Sequence, residues 1–201
     1  MAEELQIDGR KLTLADLRAD RAAPRRLVLA PSARAALAAG VASVRAAAAG
    51  STPVYGVNTG FGAFASQRIA PQETRQLQLN LVRSHACGVG AALDPSLVRR
   101  MLILKANSLA TGYSGVRAEL IDALLALANH DVLPIVPGRG SVGASGDLAP
   151  LAHVALVLIG EGEAVHRGRR IDGAQALQTA GLAPLELGAK EGLAILNGTQ
   201  L

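Results

Sequence analysis

Hydrophobic positions along the chain recur mostly at helical spacing, interrupted by glycine and proline. Leu5 to Leu14 suggests a short hairpin, and Leu27-Val28-Leu29 a short strand. Pro31-Ser32 then opens an alanine-rich helix that runs to about Ala49 and stops at Gly50. A second helix is predicted from Gln72 to about Ala86, with Leu77, Leu81 and Val82 inward. Asp94-Pro95, an N-cap followed by proline at the first helical position, starts a third, and Gly112 stops it. Val116, Leu120, Ile121, Leu124, Leu125 and Leu127 mark a nearly all-apolar helix, as expected inside a bundle. Pro134 and Pro137 bracket a short extended piece, and Asp147 to Ile159 predicts another all-apolar helix. Ala164 to Ile171 has the pattern of a hairpin turning at Gly168. The expected fold is mainly α, a helical bundle with a few short strands and hairpins.

Composition narrows this picture. Half of the 201 residues are hydrophobic, enough to bury a substantial core and to exclude general disorder. Twenty Lys+Arg against 16 Asp+Glu leave +4, too small an excess to argue for nucleic acid. A single cysteine, Cys87, excludes an internal disulfide and a multi-cysteine zinc site, which points to a reducing cytoplasm. It is expected to be a small buried thiol, and His153 a core histidine. The acidic start, Met1-Ala2-Glu3-Glu4, is unlike a signal peptide, and the most apolar run, Leu148 to Ile159, is too short for a membrane span. Only four aromatic residues occur, and Tyr55, Phe61 and Phe64 fall close together, in or just beyond the glycine-rich stretch Pro53 to Gly62, too broken for a helix and read as an ordered loop.

The most informative stretch is Gly138-Arg139-Gly140-Ser141-Val142-Gly143-Ala144-Ser145-Gly146-Asp147. Gly138, Gly140 and Gly143 have the spacing of a dinucleotide fingerprint. That fingerprint needs a helix starting inside the glycines and a parallel strand after it, whereas this helix is predicted to start only at Asp147. Nucleotide binding is therefore set aside. Gly140 through His153 instead strongly resembles the signature of the aromatic amino-acid ammonia-lyases and their related aminomutases. Three further segments resemble motifs of the same family, in family order: Tyr55-Gly56-Val57-Asn58-Thr59-Gly60-Phe61-Gly62, Asn80 through Gly90, and Lys190 through Gln200.

The resemblance implies that Ala144-Ser145-Gly146 forms a methylidene-imidazolone (MIO) by self-processing, with no metal and no nucleotide. The glycine nitrogen attacks the alanine carbonyl, water leaves, and the serine hydroxyl is then eliminated. Glycine lets the backbone fold tightly enough, alanine adds no bulk, and serine supplies the β-hydroxyl that leaves. The N-terminus of the following helix would favour negative charge developing there. Tyr55 is then the base that removes the β-proton; a free phenol ionises near pH 10, so a tyrosine serving near neutrality must be tuned downward. Without the resemblance Tyr55 is a packing aromatic and His85 a satisfied interior histidine. With it, Ser84-His85 lines the pocket for the substrate side chain, and this pair is most similar to that of the histidine lyases, although some tyrosine aminomutases share it. Asn197 is similar to the asparagine that hydrogen-bonds the prosthetic group or the substrate; its plain alternative is a helix C-cap before Gly198.

The implied activity is conversion of L-histidine to trans-urocanate and ammonia. A tyrosine lyase or aminomutase is the alternative within this chemistry, and a catalytically inactive fragment acting as a structural or binding partner is the alternative outside it. Residues 1–201 are expected to be the amino-terminal, prosthetic-group-bearing region. The family's long carboxy-terminal helices, which build a homotetramer and supply a further tyrosine, arginine and glutamate, are expected to be absent. An amino-acid substrate and a homo-oligomer are the implied partners, with neither nucleic acid nor membrane.

Overall fold

The computed structural model describes residues 4–141 and 148–199. The chain begins with strand β1 (Glu4–Ile7), followed by helix α1 (Leu14–Ala22) and strand β2 (Arg26–Leu29). The expected hairpin from Leu5 to Leu14 is not formed: β1 pairs in parallel with β2, Leu5 opposite Leu27 and Ile7 opposite Leu29. Local chemistry explains the difference. Asp8 does make a tight turn, its carboxylate accepting from the amides of Arg10 and Lys11. Thr13 and Asp16 then form a reciprocal capping box, so Leu14 starts a helix rather than a return strand. α1 lacks an apolar stripe, and its one buried residue is Asp20. Burial alone would raise that carboxyl; hydrogen bonds from Arg99 and from the Arg25 amide outweigh it and hold Asp20 below the usual carboxylate range.

The bulk is helical. α2 (Pro31–Ala49) starts at proline and ends at Gly50, and α3 (Thr74–His85) follows a single 3₁₀ turn at Pro71–Glu73. Leu81 and Val82 of α3 are buried, but Leu77 is only half-buried and its neighbour Gln78 lies wholly inside. Strand β3 (Val89–Ala92) leads to α4 (Pro95–Ala110), where the Asp94 side chain caps the Ser96 amide. α5 (Ala118–Asn129) packs along α4. Strands β4 (Val132–Pro134) and β5 (Pro137–Arg139) follow, then α6 (Leu148–Leu158), strands β6 (Glu163–His166) and β7 (Arg169–Asp172), α7 (Gly173–Thr179) and α8 (Glu191–Leu196). β6 and β7 form the expected hairpin, its turn made by positive φ at both Arg167 and Gly168. The sheet β4-β6-β7 is antiparallel.

Side chains from α4, α5 and α6 fill the centre: Met101, Leu102, Ile103, Leu109, Leu120, Ile121, Leu124, Leu151 and Val154 are all nearly or wholly inaccessible. Pro150 is tolerated in α6 because the first helical turn has no intrahelical partner for its missing N–H. No helix among the described residues is long and apolar enough to cross a membrane.

Candidate functional site

Three of the four motif segments meet at one end of the bundle, where α3, α6 and α8 pack on one another. Ser84-His85 closes α3. The chain leaves through Ala86, and Cys87 bonds its amide back to the His85 carbonyl, 2.9 Å. This tight exit turns the Cys87 side chain outward, so the thiol is exposed rather than buried as the sequence suggests. Next, Gly88 meets the glycine-rich segment. A Cβ on Gly140 would fall 2.9 Å from the Gly88 Cα, and one on Gly88 would fall 3.0 Å from Nε2 of His153, so neither position has room for a side chain. His153 accepts from the Gly88 amide at 3.1 Å, which secures this junction to α6. Burial lowers the His153 pKa and keeps the ring in the neutral form that can accept. His153 is thus a structural residue, as expected, but it is partly buried at the junction rather than enclosed in the core.

β5 and β3 pair antiparallel and carry the chain to Ser141; α6 resumes at Leu148. Ala144, Ser145 and Gly146, with Asp147 where the following helix is expected to start, lie outside the described residues. β5, which runs into the glycines, pairs antiparallel, as do β6 and β7 after them, whereas a dinucleotide fold uses parallel strands there.

His85 is half-buried and its Nδ1 lies 2.9 Å from the Leu81 carbonyl. A carbonyl only accepts, so Nδ1 must carry the hydrogen, and Nε2 of the neutral ring is left as an acceptor. Ser84 is exposed and its hydroxyl donates to the same carbonyl, 3.1 Å. The pair thus presents one fixed acceptor beside a hydroxyl.

Asn197 caps the end of α8, with φ −82° and ψ 117°, and its side chain is exposed. α8 is short and owes its position to buried polar groups. Gln78 Oε1 accepts from the Gly192 amide at 2.9 Å, tying α8 to α3. Glu191, 2% exposed, accepts from the amides of Arg117 and Gly188 and from the Arg117 guanidinium, between 2.7 and 3.0 Å. Beneath Asn197, Lys105 Nζ donates to its main-chain oxygen at 2.6 Å. Gln78, Glu191 and Lys105 escape a reading of the sequence for chemistry. Helical phase was the available signal for two of them: Lys105 stands three and four residues after Leu102 and Met101, and Gln78 three and four before Leu81 and Val82.

The fourth motif, the Tyr55 loop, packs on α8 from the other side. Gly56 adopts φ +72° and a Cβ there would fall 2.5 Å from Leu193 Cδ2. Buried Asn58 pins the loop to the end of α2: its amide donates to the Ala47 and Thr52 carbonyls, each at 3.0 Å, and its oxygen accepts from the Val54 amide at 2.7 Å. Tyr55 itself is 55% exposed and meets Phe61 edge-on, ring centres 6.0 Å apart. It borders an open cavity of about 540 Å³ with Val44, Tyr113 and Lys190. Ser84, His85 and Asn197 do not line that cavity, so the described residues bring three candidate side chains' elements together and leave Tyr55 on an adjoining face. A larger cavity, about 960 Å³, lies between β2 and α5 and contains none of the four motifs. Among the described residues no cluster of His, Cys, Asp and Glu is placed to hold a metal.

A helical bundle whose motif segments converge on a glycine-rich junction before a buried helix defines a class. The sequence profile for aromatic amino acid lyase matches residues 12–201, and the chain belongs to that family. Histidine ammonia-lyases of Pseudomonas fluorescens (strain SBW25) and Paracidovorax citrulli (strain AAC00-1) are 53% and 56% identical to it over 191 residues, 95% of this chain and 37% of each relative. The solved histidine ammonia-lyase from Trypanosoma cruzi superposes with a TM-score of 0.89 at 37% identity, covering 98% of this chain and 38% of that one. The chain thus spans little more than a third of the length of the relatives it matches.

Proposed function

We propose that the protein to which this chain belongs is a histidine ammonia-lyase, eliminating ammonia from L-histidine to give trans-urocanate. The observation that carries the reading is Ser84-His85 at the end of α3, beside the glycine junction, in a chain more than half identical to proteins named for that reaction. Ala144-Ser145-Gly146 would form the MIO group: they are the residue types its chemistry requires, and they follow in sequence the close approach of Gly140 to Gly88. When formed, that group supplies the electrophile without which an amino group leaves poorly.

The remaining roles fall to side chains. Tyr55 takes the β-proton, and its exposed phenol on a glycine-rich loop suits a group that must reach a substrate. His85 Nε2 accepts from the substrate ring's N–H while Ser84 adds a second polar contact. Asn197 holds the substrate or the prosthetic group through its amide. The complete enzyme acts on a free amino acid, as a homotetramer in the cytoplasm, where the exposed Cys87 thiol stays reduced.

Substrate choice tests the reading. A phenol could also donate to His85, but a phenyl ring would leave it unpaired, a cost of about 1–3 kcal/mol or roughly 5- to 150-fold in selectivity. The complete protein should form urocanate in preference to coumarate, and coumarate in preference to cinnamate. Preferred coumarate or β-tyrosine would move the assignment to tyrosine, and preferred cinnamate would overturn the His85 argument.

A further inference from the structure

α4 carries one residue that its buried face does not explain. Val98, Met101, Leu102, Lys105, Ala106 and Leu109 follow the spacing of a helix stripe packed in a core, and Lys105 is as buried as its apolar neighbours, at 2% exposed. An ammonium withdrawn from water is costly unless a carboxylate balances it. Among the described residues none does, and burial accordingly lowers the Lys105 pKa to about 8. Leucine or methionine would fill the same space without that cost, so packing does not account for lysine here.

What the amine does have is Asn197. Two peptide groups flank the Asn197 Cα, and both are held: the amide donates to Leu193 O at 3.0 Å, and the carbonyl accepts from Lys105 Nζ at 2.6 Å. A residue has two soft backbone dihedrals, so fixing both planes fixes the direction of its Cβ. The exposed Asn197 amide is thereby aimed by a group buried beneath it.

We propose that Lys105 is a positioning residue for the ammonia-lyase reaction, holding the Asn197 main chain so that its side-chain amide meets the reacting groups. The proposal rests on the role given to Asn197 above. Lys105 touches no substrate; it acts through Asn197, and a misplacement of about 1 Å at a reacting group costs on the order of a hundredfold in rate.

A double-mutant cycle in the complete protein tests this, with turnover of L-histidine and melting temperature both measured. Lys105→Met should lower kcat at least about tenfold, leave KM within twofold, and melt no lower than the parent, because it removes an unbalanced buried charge. In the Asn197→Ala background it should cost nothing further. Losses that multiply would overturn the proposal, as would a normal kcat for Lys105→Met, or a kcat loss matched by a fall in the folded fraction. Asn197→Ala separates the two ideas: if it is severely impaired while Lys105→Met is normal, only the present proposal fails; if Asn197→Ala is itself near normal, the role of Asn197 fails and the proposal with it. Should Lys105→Met not fold, Lys105→Gln, polar but one bond too short to reach the carbonyl, enters the same cycle with the same expectations.

Discussion

The centre of the bundle and its motif-bearing end are built on opposite plans. In the centre, Leu120, Ile121 and Leu124 of α5 and Met101 and Leu102 of α4 are buried in one apolar core where the two helices pack. At the motif end Ser84 and Asn197 are exposed, as is Tyr55 on the adjoining face, and the groups that hold these segments are polar: Asn58 under the Tyr55 loop, Gln78 and Glu191 under α8, Lys105 under Asn197. The hydrophobic effect is non-directional, whereas a hydrogen bond to a main-chain atom specifies both a distance and an angle. Apolar residues hold this fold together, and a few buried polar ones at the motif end direct its exposed side chains.

Breaking each plan should give a different signature. The largest effect belongs to the centre: Leu124→Ala should cost about 2–5 kcal/mol of unfolding free energy, while turnover per folded molecule of the complete enzyme stays near normal. Slightly smaller in stability is Glu191→Ala, about 2–4 kcal/mol; it leaves the Arg117 guanidinium without its carboxylate, tempered because Arg117 keeps some contact with water. Unlike Leu124→Ala, it should also depress turnover of the molecules that do fold, because α8 carries Asn197. Denaturant titration combined with activity per folded molecule distinguishes the two, and equal activity in both variants would erase the contrast.

Tyr55→Phe should leave stability within about 0.5 kcal/mol, as at other surface positions, yet lower turnover at least about 10²-fold. Near-normal rates would remove Tyr55 from the mechanism. The smallest effect concerns the junction between the two regions. The His153 pKa is lowered by burial, so the folded state binds fewer protons at this site than the unfolded one. Its contribution is complete above the unfolded value of about 6.5 and is lost as pH falls through the lowered one. His153→Gln keeps an acceptor for the Gly88 amide but does not titrate. It should flatten the loss of stability below pH about 6.5, and an unchanged acid slope would exclude His153 as its source.

The same division governs what could be read from the sequence. α2, α4, α5, α6 and the β6–β7 hairpin announce themselves locally, through Pro31, Gly50, Asp94-Pro95, Gly112 and Gly168. The parallel pairing of β1 with β2 does not, because the partner strand comes after a helix with no apolar stripe to reveal it. α7 and α8 are too short to show a period. The exposure of Cys87 depends on how α3 ends, which composition does not encode. Of the candidate site, Tyr55, Ser84, His85, Asn197 and the Ala144-Ser145-Gly146 segment were recognisable as motifs. Gln78, Lys105 and Glu191 were not, since a buried polar residue acquires its meaning only from the main-chain atom it meets.

The proposed chemistry requires Ala144-Ser145-Gly146 to make its own electrophile, in the stretch of chain between Ser141 and α6. Mass spectrometry of the peptide covering residues 138–153, taken from freshly prepared complete protein, tests this most directly. Cyclisation of Ala144-Ser145-Gly146 predicts a peptide lighter than its sequence by two waters, and the Ser145→Ala peptide should fall short of its own sequence by no more than one water, because the second is the serine β-hydroxyl. A peptide of full, unmodified mass from the unsubstituted protein would contradict the account.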